Sequence, residues 1–186
     1  MRYVKTCIEQ LDLAAVQLHQ DNPAYRRFAL ILTDNIVELM CHRKCEDQFW
    51  GVGHIPGFED RLEEKEQVLG SDFDAKVNFL RRDDLITQDE QVFVCGAHTY
   101  RNESYHTGIV HDDIMHALAW HYHKIACDLF GRLRPRVFGG SPDRDWSPAI
   151  KKHCGEHPFQ TMMDGDGFST AALSLGAARP LPEPNL

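Results

Sequence analysis

The stretch His98-Thr99-Tyr100-Arg101-Asn102-Glu103-Ser104-Tyr105-His106-Thr107-Gly108 sets a guanidinium, a carboxamide and an imidazole close together, between two apolar helical runs. A guanidinium grips two phosphate oxygens in a planar fork and stays charged. An imidazole titrates near neutrality, so it can take a proton from a ribose 2′-hydroxyl or give one to a departing 5′-oxygen. Arg101, Asn102 and His106 therefore suit phosphodiester chemistry without a metal, and the nearby cation favours the neutral, proton-accepting form of His106. In an ideal helix, positions five apart are rotated by about 140° modulo a turn. Arg101 and His106 then share a site within one chain only if the helix breaks between them, so a kink or helix end is expected here. Asn102 and His106, four apart, share a face without one. The alternative is structural: Arg101 pairs with Glu103 or a helix terminus, and His106 caps the next helix.

The flanking elements read as helices. Leu11, Ala14, Ala15 and Leu18 recur at helical spacing. Asp21-Asn22-Pro23 reads as a cap followed by a first-turn proline, opening a longer helix with Tyr25, Phe28, Leu32, Ile36, Leu39 and Met40 on one side. Phe49 to Phe58 is glycine-rich and reads as loop, and the charged segment after it as an exposed helix. Ser71 with Asp74 starts another. Thr87 and Glu90 form a capping box ahead of Phe93, Ala97 and Tyr100. Beyond Gly108 run Ile114, Leu118, Tyr122, Ile125 and Leu129, ending at Gly131 with a proline at 135. The expectation is an all-α bundle of four to five helices over residues 1–135, followed by an irregular C-terminal extension, 136–186, that adds little to the core.

The chain has 186 residues, 42% of them hydrophobic, enough for one buried core. Neither a membrane span nor a secretion signal is visible, so the cytoplasm is the expected compartment, and six scattered cysteines are expected as free thiols. A net charge of −8 argues against a surface that coats nucleic acid uniformly, though not against a small local site. Two Cys/His groups, Cys41-His42 with Cys45 and His153-Cys154 with His157, hold metal-ligand types without the paired arms of a structural zinc site. On the last long helix, His116 and His123 share a face, the pattern of a surface or core pair.

The run "YRNESYHTG", between the helices "TQDEQVFVCGAHT" and "DDIMHALAWHYHKIACDLF", resembles the HEPN superfamily (higher eukaryotes and prokaryotes nucleotide-binding), small all-α bundles with an R-N-x-x-x-H motif. The earlier "RRFALILTDNIVELM" is similar to that family's first core helix, so the resemblance spans about residues 20–135. It implies a metal-independent, cofactor-free endoribonuclease in which Arg and His from two protomers of a homodimer converge and cleavage leaves a 2′,3′-cyclic phosphate. By position, Arg101 would stabilise the phosphorane charge, Asn102 would orient substrate or the histidine, and His106 would be the acid or base. Tyr105, if exposed, would stack a base. The resemblance further implies a toxin-antitoxin or phage-defence setting, with a nucleotidyltransferase-like antitoxin as partner. The chain's acidity departs from the pattern and points to a narrow substrate. A noncatalytic HEPN-like module that dimerises and binds nucleotide or protein is the competing expectation.

Overall fold

The computed structural model describes residues 2–20, 22–52, 61–107, 112–134, 146–164 and 166–177, with His106, Thr107, Asp112 and Asp113 described by backbone alone. Every regular element among them is helical: α1 (Arg2–Leu18), α2 (Pro23–Gln48), α3 (Leu62–Gly70), α4 (Phe73–Arg82), α5 (Gln88–Thr107), α6 (Asp112–Arg132), α7 (Pro148–Cys154), α8 (Pro158–Met163) and α9 (Gly167–Gly176). None of these is long and apolar enough to cross a membrane.

Local chemistry sets the starts. The Asn22 side chain accepts from the Ala24 amide at 2.9 Å, ahead of a proline whose missing N–H costs nothing in the first turn. The Thr87–Glu90 box closes in both directions: Thr87 N–H donates to the Glu90 carboxylate at 2.8 Å, and Glu90 N–H to the Thr87 hydroxyl at 3.2 Å. For α4 the cap is Asp72, which accepts from Ala75 N at 2.9 Å, while Ser71 donates to Val68 O at the end of α3. As the charge pattern predicts, α3 buries no residue.

Helix α2 is the axis, packed most extensively on α6 and α1. Its buried face runs Ala29, Leu30, Thr33, Asp34, Ile36, Val37, Met40, Cys41 and Cys45. That face is rotated from the one the aromatic residues predict, since Tyr25 and Phe28 are exposed. Hydrophobicity alone skips Asp34, although it lies at the centre of the stripe. Similarly, α6 buries Met115, Ala119, Tyr122, Ala126 and Phe130, and leaves Ile114 exposed.

The expected irregular extension instead forms α7 to α9. Phe168, Ala171, Ala172 and Leu175 of α9 are buried, and α9 lies along α6. Small residues permit the close approach: a Cβ on Gly131 of α6 would come within 2.9 Å of the Ala172 Cβ. Such residues give a weak hydrophobic signal, which is why the stripe is hard to see in sequence. His153 of α7 is buried and ties the extension to the bundle, with Nε2 2.8 Å from Asp12 of α1 and Nδ1 2.8 Å from the Ser174 hydroxyl. Burial by itself would raise the Asp12 pKa, but hydrogen bonds from Lys152 and His153 outweigh it and hold the carboxyl below its ordinary value.

Two glycines of opposite consequence test this arrangement. A Cβ at Gly167 would come 1.5 Å from the Thr161 carbonyl oxygen, so Gly167→Ala is expected to destabilise by about 1–3 kcal/mol as backbone shifts. Gly96 is exposed within α5 with nothing near its missing Cβ, so Gly96→Ala is expected to stabilise by about 0.5–1 kcal/mol. Urea denaturation of the two variants reads both signs.

Candidate active site

Asp34 lies one turn beyond Leu30 on the buried face of α2, with no exposed surface, and Glu38 follows one turn later. A carboxylate in such a place must be met by cations and donors, because an unpaired buried charge is not tolerated. Helix α5 supplies them. Arg101 donates from Nε to Asp34 Oδ2 at 2.6 Å, and its Nη2 lies 2.5 Å from both Asp34 Oδ2 and Glu38 Oε1. His98, one turn earlier on α5, places Nδ1 3.0 Å from Asp34 Oδ2 and 3.3 Å from Glu38 Oε1. Tyr122 of α6 donates its hydroxyl to Asp34 Oδ1 at 2.7 Å. Asn102 closes the loop: its Oδ1 accepts from Arg101 Nη1 at 2.7 Å, and its Nδ2 lies 3.0 Å from His98 Nε2. With the Asn102 amide donating there, His98 carries its proton on Nδ1, facing the carboxylates. The ring also rests on Phe73 of α4, with centroids 4.4 Å apart.

The arrangement gives each group a fixed role. Burial first, and then the Asp34 charge, push the Tyr122 phenol well above its ordinary pKa, so it serves as a donor only. Burial and the neighbouring Asp34 carboxylate also raise Glu38, and these outweigh the lowering by Arg101 and His98. Asp34, Glu38 and His98 form the group, among the described residues, whose ligand atoms are close enough to share a metal ion. In this structure the Arg101 guanidinium sits between the two carboxylates, where such a cation would bind.

Of the residues chosen from sequence, Arg101 and Asn102 meet in one network, and Tyr105 projects from α5 with 72% of its surface exposed. His106 lies in the last turn of α5, and its side chain is outside the described residues. The expected break between Arg101 and His106 is absent: α5 runs unbroken to Thr107, because its hydrogen-bonding residues are all compatible with helix and no proline interrupts them. The structural alternative also needs correction. The ionic partners of Arg101 are Asp34 and Glu38, more than sixty positions away, rather than Glu103 or a helix end. Asp34, Glu38, His98 and Tyr122 escaped the sequence reading, although an acidic residue on an otherwise apolar helical stripe was the available signal. In the two histidine-cysteine arms Cys41, Cys45, His153 and Cys154 are buried, whereas His42 faces Glu46 on the surface of α2 and His157 is exposed; burial pushes the Cys45 thiol up to about 12, and all six cysteines are free thiols. His123, also buried, bonds the Leu11 carbonyl at 3.0 Å, which makes it the core member of a pair expected to be either surface or core.

Arg101 also borders a cavity of about 220 Å³, lined besides by Arg27 and Leu30 of α2, by Ser104 and Tyr105 of α5, and by Met115 of α6. The network thus engages all three guanidinium nitrogens, while the residue also borders an open recess.

Removing the buried anion leaves its partners without compensation, so Asp34→Ala is expected to lose about 3–5 kcal/mol in urea denaturation. Glu38 behaves differently. Because its folded pKa is raised, the native state binds the proton more readily than the unfolded chain, and stability falls as pH rises from the ordinary carboxylate pKa through the folded one. Glu38→Gln should flatten that part of the stability-against-pH curve, and an unchanged slope would contradict the assignment. No protein-family model, curated protein or solved structure matches this chain.

Proposed function

We propose that this chain is a metal-independent endoribonuclease of the HEPN type, acting as a homodimer with Arg101, Asn102 and His106 as its reacting or substrate-contacting groups. The observation that carries the reading is the ionic clamp on Arg101. A guanidinium whose Nε and Nη2 are fixed by a buried carboxylate and a second acid is preorganised beside an open cavity. Fixed charge placed where negative charge develops is the most effective form of transition-state stabilisation.

In the proposed reaction the 2′-oxygen attacks the adjacent phosphorus as an imidazole takes its proton. The guanidinium meets the growing charge on the non-bridging oxygens. The 5′-oxygen then leaves with a proton from an acid, giving a 2′,3′-cyclic phosphate and a free 5′-hydroxyl. His98 is poorly suited to exchange these protons, since both its nitrogens are engaged within the network. The role therefore falls to His106. On the unbroken α5, Arg101 and His106 stand about 140° apart, which favours a site completed by His106 of a second copy across a two-fold axis.

Because Arg101 occupies the cation position between Asp34 and Glu38, no metal enters the proposed reaction. A toxin-like role beside a nucleotidyltransferase-like antitoxin in the cytoplasm extends the same family resemblance. One observation favours the second reading, a noncatalytic module that dimerises and binds nucleotide or protein: two carboxylates already balance the charge of Arg101, as in a purely structural clamp.

The test is cleavage of total RNA in EDTA by wild type, Arg101→Ala, His106→Ala and a refolded equal mixture of the two variants. Wild type should cleave and each variant should not. In the mixture, half the dimers pair the two variants and each carries one intact composite site, so activity should return to about a quarter of wild type. Inactive wild type, or variants as active as wild type, would favour the binding module. Chelator-sensitive cleavage would point to a metal at Asp34, Glu38 and His98 instead.

A further inference from the structure

We infer that the cavity beside Arg101 is a subsite for one unpaired ribonucleotide next to the scissile phosphate, with Arg27 binding its phosphate and Tyr105 stacking its base. This rests on the endoribonuclease reading and specifies its substrate class as single-stranded RNA.

The argument begins with charge. Arg101 borders the cavity, but Asp34 and Glu38 face it at 2.5 Å, so the three groups together carry a net negative charge when both acids are ionised. Such a cluster does not attract a polyanion by itself. Arg27 changes the sum. It stands on α2 two turns before Asp34 and therefore on the same side of the helix. It is exposed, borders the same cavity and, among the described residues, has no hydrogen-bond or ion-pair partner. Among the described residues no carboxylate borders the cavity, in a chain whose net charge is −8. The described lining of the recess thus runs against the charge of the molecule, and Arg27 is the exposed cation in it.

The remaining walls suit a nucleoside better than a free anion. Leu30 and Met115 are buried and give an apolar floor, and the exposed ring of Tyr105 stands at the rim. Ser104 donates its hydroxyl to the Tyr100 carbonyl at 2.7 Å, so toward the cavity it offers lone pairs that accept from a base N–H or a ribose hydroxyl. On α2 the cavity is bordered by Arg27 and, about one turn further on, Leu30, ahead of Asp34 about 10 Å along the helix from Arg27. A paired base would have to give up its pairing and stacking to meet Tyr105, so an unpaired strand is favoured over duplex RNA.

The test uses a short fluorescein-labelled single-stranded RNA with 2′-O-methyl groups throughout, which cannot be cleaved, and the whole protein in EDTA. By anisotropy, Arg27→Ala should weaken binding about tenfold and lower the salt slope by about one, whereas Arg27→Lys should keep the slope. Tyr105→Ala should weaken binding about tenfold with the slope unchanged. The same sequence as a duplex should bind less tightly than the single strand. In cleavage assays, Arg27→Ala should raise KM far more than it lowers kcat. Unchanged melting temperatures would separate these effects from misfolding, since both side chains are exposed. Cleavage by wild type with KM and affinity indifferent to Arg27 would overturn the subsite and leave the enzyme reading standing. Arg27-dependent binding by a wild type that cuts no RNA would uphold the subsite while the enzyme reading fell. Equal affinity for duplex and single strand would overturn the assignment of an unpaired base.

Discussion

The arrangement of this protein turns on one ionic clamp: the Asp34 carboxylate, without solvent exposure in the central helix, held by Arg101 of α5. Burying a carboxylate is costly, and the cost is offset only when several donors converge on it. Here Arg101, His98 and Tyr122 do so from two different helices. Helix α5 meets α2 over fewer residues than α1 or α6 does, so this polar network is a large part of what fixes its register. An apolar residue at position 34 would avoid the burden, yet it would leave the guanidinium without its anchor.

The same clamp governs the electrostatics of the site. By placing its guanidinium between Asp34 and Glu38, the chain sets its own cation beside side chains whose ligand atoms lie close together. Rigidity is gained, and attraction for anions is lost. In the proposed reaction the electrostatic pull on a phosphate must then come from outside the clamp, and Arg27, which borders the same cavity, is the group we assign to it. Division of labour between a held cation and a recruiting one would reconcile the proposed phosphate-handling site with an acidic protein.

Much of the helical framework was readable in the sequence. The Asn22 cap, the Thr87–Glu90 box and the buried series Leu11, Ala14, Ala15 and Leu18 depend on short-range chemistry, which sequence carries directly. Other features depend on contacts across the chain. The aromatic residues of α2 drew its apolar face toward Tyr25 and Phe28, and a hydrophobic pattern cannot register Asp34 as a core position. The ionic partners of Arg101 lie more than sixty residues away, so local spacing directed attention to His106 and Glu103 instead. In α9, alanine and glycine let the helix approach α6 closely, but such small residues leave a faint periodic signal. Arg101 and Asn102 were thus identified by type, while the network that holds them was visible only in three dimensions.

The measurement that bears most directly on this account is a double-mutant cycle for folding stability between Asp34 and Arg101, using Asp34→Ala, Arg101→Ala and the double variant. If the clamp is the anchor of the site, the two losses are strongly non-additive, with a coupling energy of about 2–3 kcal/mol, because removing the second partner costs little once the first is gone. Additive losses, with coupling near zero, would mean that the two side chains do not hold one another and would contradict the account at its base.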